Sequence, residues 1–163
     1  MILPDDLTAR AAKVLDACRA AGLTVATAES CTGGLIAACL TEIAGSSDVF
    51  DRGFVTYANE AKIEMLGVPA GLIAAHGAVD GSVARAMAEG ALARSRADLA
   101  VAVTGIAGPG GGGKDKPVGL VYFGAARRGG ETRQDRQVFP GDRGAVRRAT
   151  AAHALDLLLE MAR

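Results

Sequence analysis

Hydrophobic positions along the chain change period several times, and each change predicts a new element. From residue 5 to 21, Leu7, Ala11, Val14, Leu15 and Cys18 recur at helical spacing and Gly22 follows as a stop, so a first amphipathic helix is expected there. LTVATAES (23–30) reads as a short strand. Ser30, Thr32 and the pair Gly33 and Gly34 interrupt it before the helical run LIAACLTEIAG (35–45). After a break at Gly45 to Asp48, FDRGFVTY predicts a second strand ending at Tyr57, and NEAKIEMLG a short helix. Pro69 starts a further turn of helix, and GSVARAMAEGALARSRA (81–97) is a long helix that exposes Arg85, Glu89 and Arg94 and turns an alanine-rich face to a sheet.

LAVAVTG (99–105) is an unbroken apolar run, as expected of a central strand covered on both faces. A glycine loop, IAGPGGGGKDKP, follows. VGLVYFGAA and TRQDRQVF alternate on either side of Arg127 to Gly130 as hairpin strands, and residues 141–163 close the chain as an amphipathic helix. Mixed in this order, the elements predict an α/β protein: a three-layer α/β/α sandwich around a mostly parallel mixed sheet of about five strands. With no repeat and no linker, residues 1–163 are expected to form one domain.

Composition narrows the function classes. Half of the residues are hydrophobic, enough for one core. Eighteen basic residues balance eighteen acidic ones, so no field draws the chain to nucleic acid or to anionic membrane. The start MILPDDLTARAAK lacks the basic and apolar regions of a signal peptide, and charge interrupts every Ala-rich stretch short of a membrane span. Three cysteines without a CxxC pair and two histidines imply a reducing cytoplasm and no structural metal. Cys31, beside Ser30, is open to two readings, a reactive thiol or a small packing residue.

Four segments could carry chemistry. Ser30 sits where a strand turns into a helix, a place that exposes a nucleophile at the carboxyl edge of a sheet and offers helix N–H groups to an oxyanion. The competing explanation is that Ser30 or Thr32 merely caps the helix, although the glycine pair opens the backbone to a ligand beyond what a cap needs. Lys62 is the candidate base: Asn59 and Lys62 share one face of a short helix just after Tyr57, and burial or a cationic neighbour would lower the lysine pKa. An exposed helix lysine is the alternative.

The glycine loop contains two false motifs. Gly108 to Lys114 spells GxxxxGK, but Asp115 follows and then a strand; Gly108, Gly110 and Gly113 spell GxGxxG, again without the helix that would receive a pyrophosphate. What remains is a loop able to wrap a phosphate or ring near Lys114 and Lys116, or a plain surface connection. At the last helix, Asp142 is a natural N-cap and Arg143 and Arg147 lie one turn apart; Arg143 could clamp a phosphate or be an ordinary charged helix start.

Taken together, AESCTGG, AGSSDVFDRGFVTYANEAK, LGV, AHGAV, AVTGIAGPGGG, KPVGLVYF and GDRGAVRR cover nearly the whole chain in one order. They resemble the CinA C-terminal domain family of nicotinamide-mononucleotide deamidases. The resemblance implies a stand-alone member, lacking the N-terminal molybdopterin-binding-like domain of many relatives, that hydrolyses the carboxamide of nicotinamide mononucleotide to nicotinate mononucleotide and ammonia. It implies Ser30 as nucleophile and Lys62 as base, with Tyr57 and Thr104 around the reacting group. Thr32, Gly33, Gly34, Asn59, Gly105, Gly108 and Arg143 become candidates for substrate contact.

No cofactor or metal is implied; the expected partners are a pyridine mononucleotide and, as a homo-oligomer, further copies of the chain. Two positions depart from the family pattern: Asp80 where a serine is usual, and Gly113-Lys114 where the loop usually turns polar and acidic. Asp80 and Lys114 keep one alternative open, a nucleotide-binding module without catalysis; a second alternative is an amidase of different substrate on the same scaffold.

Overall fold

In the computed structural model, which describes residues 1–163, the strands are β1 (Val25–Glu29), β2 (Phe50–Val55), β3 (Leu99–Gly105), β4 (Leu120–Arg127) and β5 (Arg133–Val138). The helices are α1 (Asp5–Ala21), α2 (Leu35–Thr41), α3 (Asn59–Leu66), α4 (Ala70–His76), α5 (Gly81–Ala93) and α6 (Arg143–Ala162). The strands form one sheet in the order β2-β1-β3-β4-β5. β1 is parallel to both β2 and β3, while β4 and β5 add an antiparallel hairpin beyond β3. Four of the five strands therefore run the same way, the mostly parallel mixed sheet expected from the order of elements.

Alternation along the central strands assigns the two faces. Val25, Leu99, Val101, Val103, Val121 and Phe123 point to one side, where they pack with Leu7, Val14 and Leu15 of α1, Ile36 and Leu40 of α2, and Val146, Leu155 and Leu158 of α6. Ala26, Ala28, Ala100, Ala102 and Ala126 point to the other, against Val83, Met87, Ala88 and Ala91 of α5. LAVAVTG thus reads as an apolar run because both faces are covered, and its large–small alternation records how closely α5 approaches. The alanine-rich face of α5 lies against the sheet as its sequence suggested. No helix is long and apolar enough to cross a membrane.

Glycine permits that approach at two points. A Cβ on Gly124 of β4 would lie 2.3 Å from the Ala84 carbonyl oxygen, and one on Gly90 of α5 would lie 2.0 Å from the Leu66 carbonyl oxygen. Alanine at position 90 gains about 0.8–1.0 kcal/mol of helix propensity. Forcing a methyl into a backbone oxygen costs about 1–3 kcal/mol or more, so the collision wins. Gly90→Ala is expected to lower the midpoint of thermal unfolding by about 2–4 °C per kcal/mol of net loss, as followed by circular dichroism. An unchanged or raised midpoint would contradict this packing.

Element ends differ from the sequence reading where long-range contacts intervene. The second strand stops at Val55 rather than Tyr57, because the carbonyls of Thr56 and Tyr57 face a side chain and not a neighbouring strand. The helix expected over 81–97 ends at Ala93.

β1, β2 and β3 end on the same edge. The chain leaves β1 through α2 on one face and reaches β3 through α5 on the other, which opens a crevice outside the carboxyl ends of the strands.

Candidate active site

Ser30 is the first residue after β1, and its backbone N–H donates to the Val103 carbonyl of β3 (3.1 Å), fixing it to the sheet edge. A tight turn follows, closed by Gly33 N–H on the Ser30 carbonyl (3.0 Å). Gly33 and Gly34 have φ of 61° and 105°, a region that favours glycine, so the backbone path itself requires the pair.

The turn is capped from an unexpected side. Glu29, only 1% exposed, accepts hydrogen bonds from Thr32 Oγ1 (2.6 Å), Ile36 N–H (2.8 Å) and Ala37 N–H (3.0 Å). Its carboxylate thus occupies the N-terminus of α2 and neutralises the dipole there. This corrects the expectation that the helix end could receive an anion or oxyanion, and Ser30 and Thr32 are not caps of α2. Thr32, Gly33 and Gly34 do not line the pocket beside Ser30.

That pocket has a volume of about 210 Å³ and brings together Ser30, Tyr57, Asn59, Lys62, Thr104, Gly105 and Arg143, with Cys31, Ala78, Val79 and Ala107 completing its wall. Lys62, on α3, is 1% exposed and so is not a surface lysine. Its Nζ lies 2.9 Å from Ser30 Oγ, 2.8 Å from the Thr56 carbonyl and 3.1 Å from the Tyr57 carbonyl. Burial pushes the Lys62 pKa below the ordinary 10.5, with Cys31 pulling the other way. A neutral amine here can give its two N–H groups to the two carbonyls and keep its lone pair for the serine hydroxyl. The three neighbours equally satisfy an ammonium ion.

Thr104 Oγ1 donates to the Ala78 carbonyl (2.9 Å), tying the end of β3 to the turn before α5. A Cβ on Gly105 would lie 2.7 Å from Val121 and one on Gly108 2.5 Å from Val118, so both glycines also serve close packing. The Gly108 carbonyl accepts from Arg143 Nη1 (2.8 Å), while Arg143 Nη2 donates to Tyr57 Oη (3.1 Å), joining the glycine loop to Tyr57 across the mouth. Arg143 also borders a second cavity of about 540 Å³, lined further by Ala107, Pro109, Val118, Gly141, Asp142 and Gly144. Asp142 caps α6 by accepting from Ala145 N–H (2.9 Å).

Other residues resolve into structural roles. Burial pushes the Cys31 thiol up to about 11, with Glu29 adding to the rise, so it packs rather than reacts. Asp80 caps α5 through Ser82 N–H (2.9 Å). Lys116 donates to the His76 carbonyl (2.5 Å), and Lys114 is exposed on the loop. Glu29, next to Ser30 in the first candidate segment, and Arg147, one turn from Arg143, take roles that sequence reasoning did not assign them. Glu29 reaches across seven and eight residues, beyond the spacing of ordinary caps, and Arg147 of α6 donates to the Cys31 and Thr32 carbonyls (3.2 and 3.0 Å) across more than a hundred.

Comparison with known proteins places this arrangement. The model of the CinA C-terminal domain matches residues 7–162. Nicotinamide-nucleotide amidohydrolase PncC of Escherichia coli (strain K12) is 55% identical over 146 residues, covering 90% of this chain and 88% of that protein. A CinA-like protein of Akkermansia muciniphila is 56% identical over 141 residues, 86% of this chain, but the match spans only 34% of that longer relative. A crystal structure of the competence/damage inducible protein CihA from Agrobacterium tumefaciens superposes with a TM-score of 0.97 at 49% identity, covering 100% of this chain and 99% of that one. On the strength of the domain match and these identities, the chain belongs to the CinA C-terminal domain family.

Proposed function

We propose that the chain is a nicotinamide-nucleotide amidohydrolase that converts nicotinamide mononucleotide to nicotinate mononucleotide and ammonia. The observation that carries this reading is the 2.9 Å approach of buried Lys62 Nζ to Ser30 Oγ in a pocket with no carboxylate among its lining residues. The Escherichia coli relative, matched over most of both chains, bears the name of that activity.

In this mechanism neutral Lys62 takes the Ser30 hydroxyl proton as Oγ attacks the carboxamide carbon, which the adjacent pyridinium makes more electrophilic. In this reading the Cys31 backbone N–H, which follows the nucleophile directly, is the oxyanion donor. The C–N bond breaks as Lys62 returns the proton to the leaving nitrogen, and ammonia departs. Water, deprotonated by Lys62, then attacks the acyl carbon, releasing nicotinate mononucleotide and the serine hydroxyl.

Tyr57, Asn59 and Thr104 surround the ring. Arg143, at the border of the second cavity, takes the phosphate, with Gly105 and Gly108 supplying backbone along the way. The 163 residues act as one such domain, in the cytoplasm, within pyridine-nucleotide recycling. Exposed Val55, Tyr57 and Met65 supply apolar surface for a homo-oligomer.

Purified protein incubated with nicotinamide mononucleotide is expected to release one ammonia per nicotinate mononucleotide, while nicotinamide, glutamine and asparagine release none. No ammonia from the mononucleotide, or equal release from the other amides, would overturn the reading.

A further inference from the structure

We propose that Arg147 is a positioning residue that holds the nucleophile turn from α6. The inference rests on Ser30 being the reacting group. Residues 31–34 belong to no strand or helix; backbone bonds close the turn at the Ser30, Thr32 and Gly34 carbonyls, from Gly33, Leu35 and Ala38 N–H, and the Cys31 carbonyl has no backbone donor. One side chain reaches the first two carbonyls of the segment: Arg147 Nε donates to that of Cys31 at 3.2 Å, and Nη2 to that of Thr32 at 3.0 Å, which also accepts from Leu35 N–H (3.1 Å). A guanidinium presents these N–H groups in a rigid planar fork, so two successive peptide planes are oriented together.

Each trans peptide points its N–H opposite to its C=O. Holding the Cys31 carbonyl therefore also directs the Thr32 N–H, and the two held planes continue directly from the Ser30–Cys31 peptide, whose own carbonyl accepts from Gly33 N–H (3.0 Å), so the fork limits how far the turn behind Ser30 can shift. Gly33 lies directly beneath the guanidinium, where a Cβ would sit 3.7 Å from Nη2.

Arg147 does not line the pocket. Neither Ser30 Oγ nor Lys62 Nζ bonds to it; they meet each other at 2.9 Å. Its action passes through the turn. One turn earlier on α6, Arg143 lines the pocket and bonds Gly108 and Tyr57. The first two turns of α6 thus send one arginine to the mouth of the site and another behind its nucleophile.

The test compares wild type with Arg147→Ala and Arg147→Lys, using ammonia release from nicotinamide mononucleotide and the rate at which a small fluorophosphonate labels Ser30. In the alanine variant kcat and the labelling rate are expected to fall together by about 10- to 100-fold, with KM within about two-fold and the pH midpoint of kcat/KM unmoved, since Lys62 is untouched. Guanidinium chloride, well below denaturing concentration, should restore a large part of kcat where urea does not. Lysine, which reaches one carbonyl as a point charge, should fall between, and it stands in if the alanine variant does not fold.

Both rates within about two-fold of wild type in a folded variant would overturn the proposal. So would a loss that tracks the folded fraction and is untouched by guanidinium. A wild type that labels but releases no ammonia would sink the substrate reading and leave the labelling comparison to decide the role of Arg147. One that does neither removes Ser30 as the nucleophile, and this proposal with it.

Discussion

Replacing Ser30 by alanine is expected to lower ammonia release from nicotinamide mononucleotide by about 10³-fold or more, with KM little changed. The oxygen removed is the one 2.9 Å from Lys62 Nζ, and no other hydroxyl is bonded to that amine. Lys62 keeps its two carbonyl acceptors and the Ser30 backbone keeps its bond to Val103, so the variant should fold with an unchanged circular dichroism spectrum. What activity survives reports binding and backbone donors alone, because water would have to attack without a covalent intermediate. Intact-mass spectrometry of wild type quenched during turnover should show an acyl adduct that the alanine variant lacks. Retention of activity within a few-fold would remove Ser30 from the mechanism, whatever its distance to Lys62.

The elements of this fold are legible in the chain because their signals are local. Leu7 to Cys18 at helical spacing, Gly22 as a stop and the apolar LAVAVTG each fall where the structure has an element of that type. The order of strands is not local: β1 pairs with residues some 25 positions away in β2 and more than 70 away in β3, and nothing in either strand's periodicity encodes the partner. The alternation of valine and alanine in β3 does hold one further piece of information, which face receives the close helix. It becomes readable only once both faces are known to be covered.

The candidate site divides in the same way. Ser30 stands out because a polar residue and two glycines punctuate the passage from strand to helix. Lys62 could be named, but its burial could not: α3 places only Lys62 and Leu66 in the interior, too few for a hydrophobic pattern to orient the helix. The capping role of Glu29 escaped because it reaches Ile36 and Ala37 of α2 from seven and eight residues upstream, through a turn that folds back only with Gly33 and Gly34 at positive φ. The glycine pair, attributed to ligand access from sequence, is accounted for by that turn.

Lys62→Arg should cost about 10²–10⁴-fold in kcat/KM and erase the acid limb of its pH profile. In wild type the active base is the neutral amine, whose fraction rises as pH passes upward through the folded-state pKa. Burial sets that pKa below 10.5, so kcat/KM should climb with pH and level off with a midpoint below the ordinary lysine value. Arginine keeps its proton throughout this range and can hold the carbonyls but not accept from Ser30. The same depression appears in stability with a definite sign. Between the folded pKa and 10.5 the unfolded chain binds more protons at this residue, so wild-type stability gains with pH across that window relative to a variant lacking the amine. The thermal midpoint of wild type minus that of Lys62→Met should therefore increase toward pH 10.5, regardless of its offset at neutrality. A flat difference together with a pH-independent kcat/KM would mean that Lys62 remains an ammonium ion and that another group takes the serine proton.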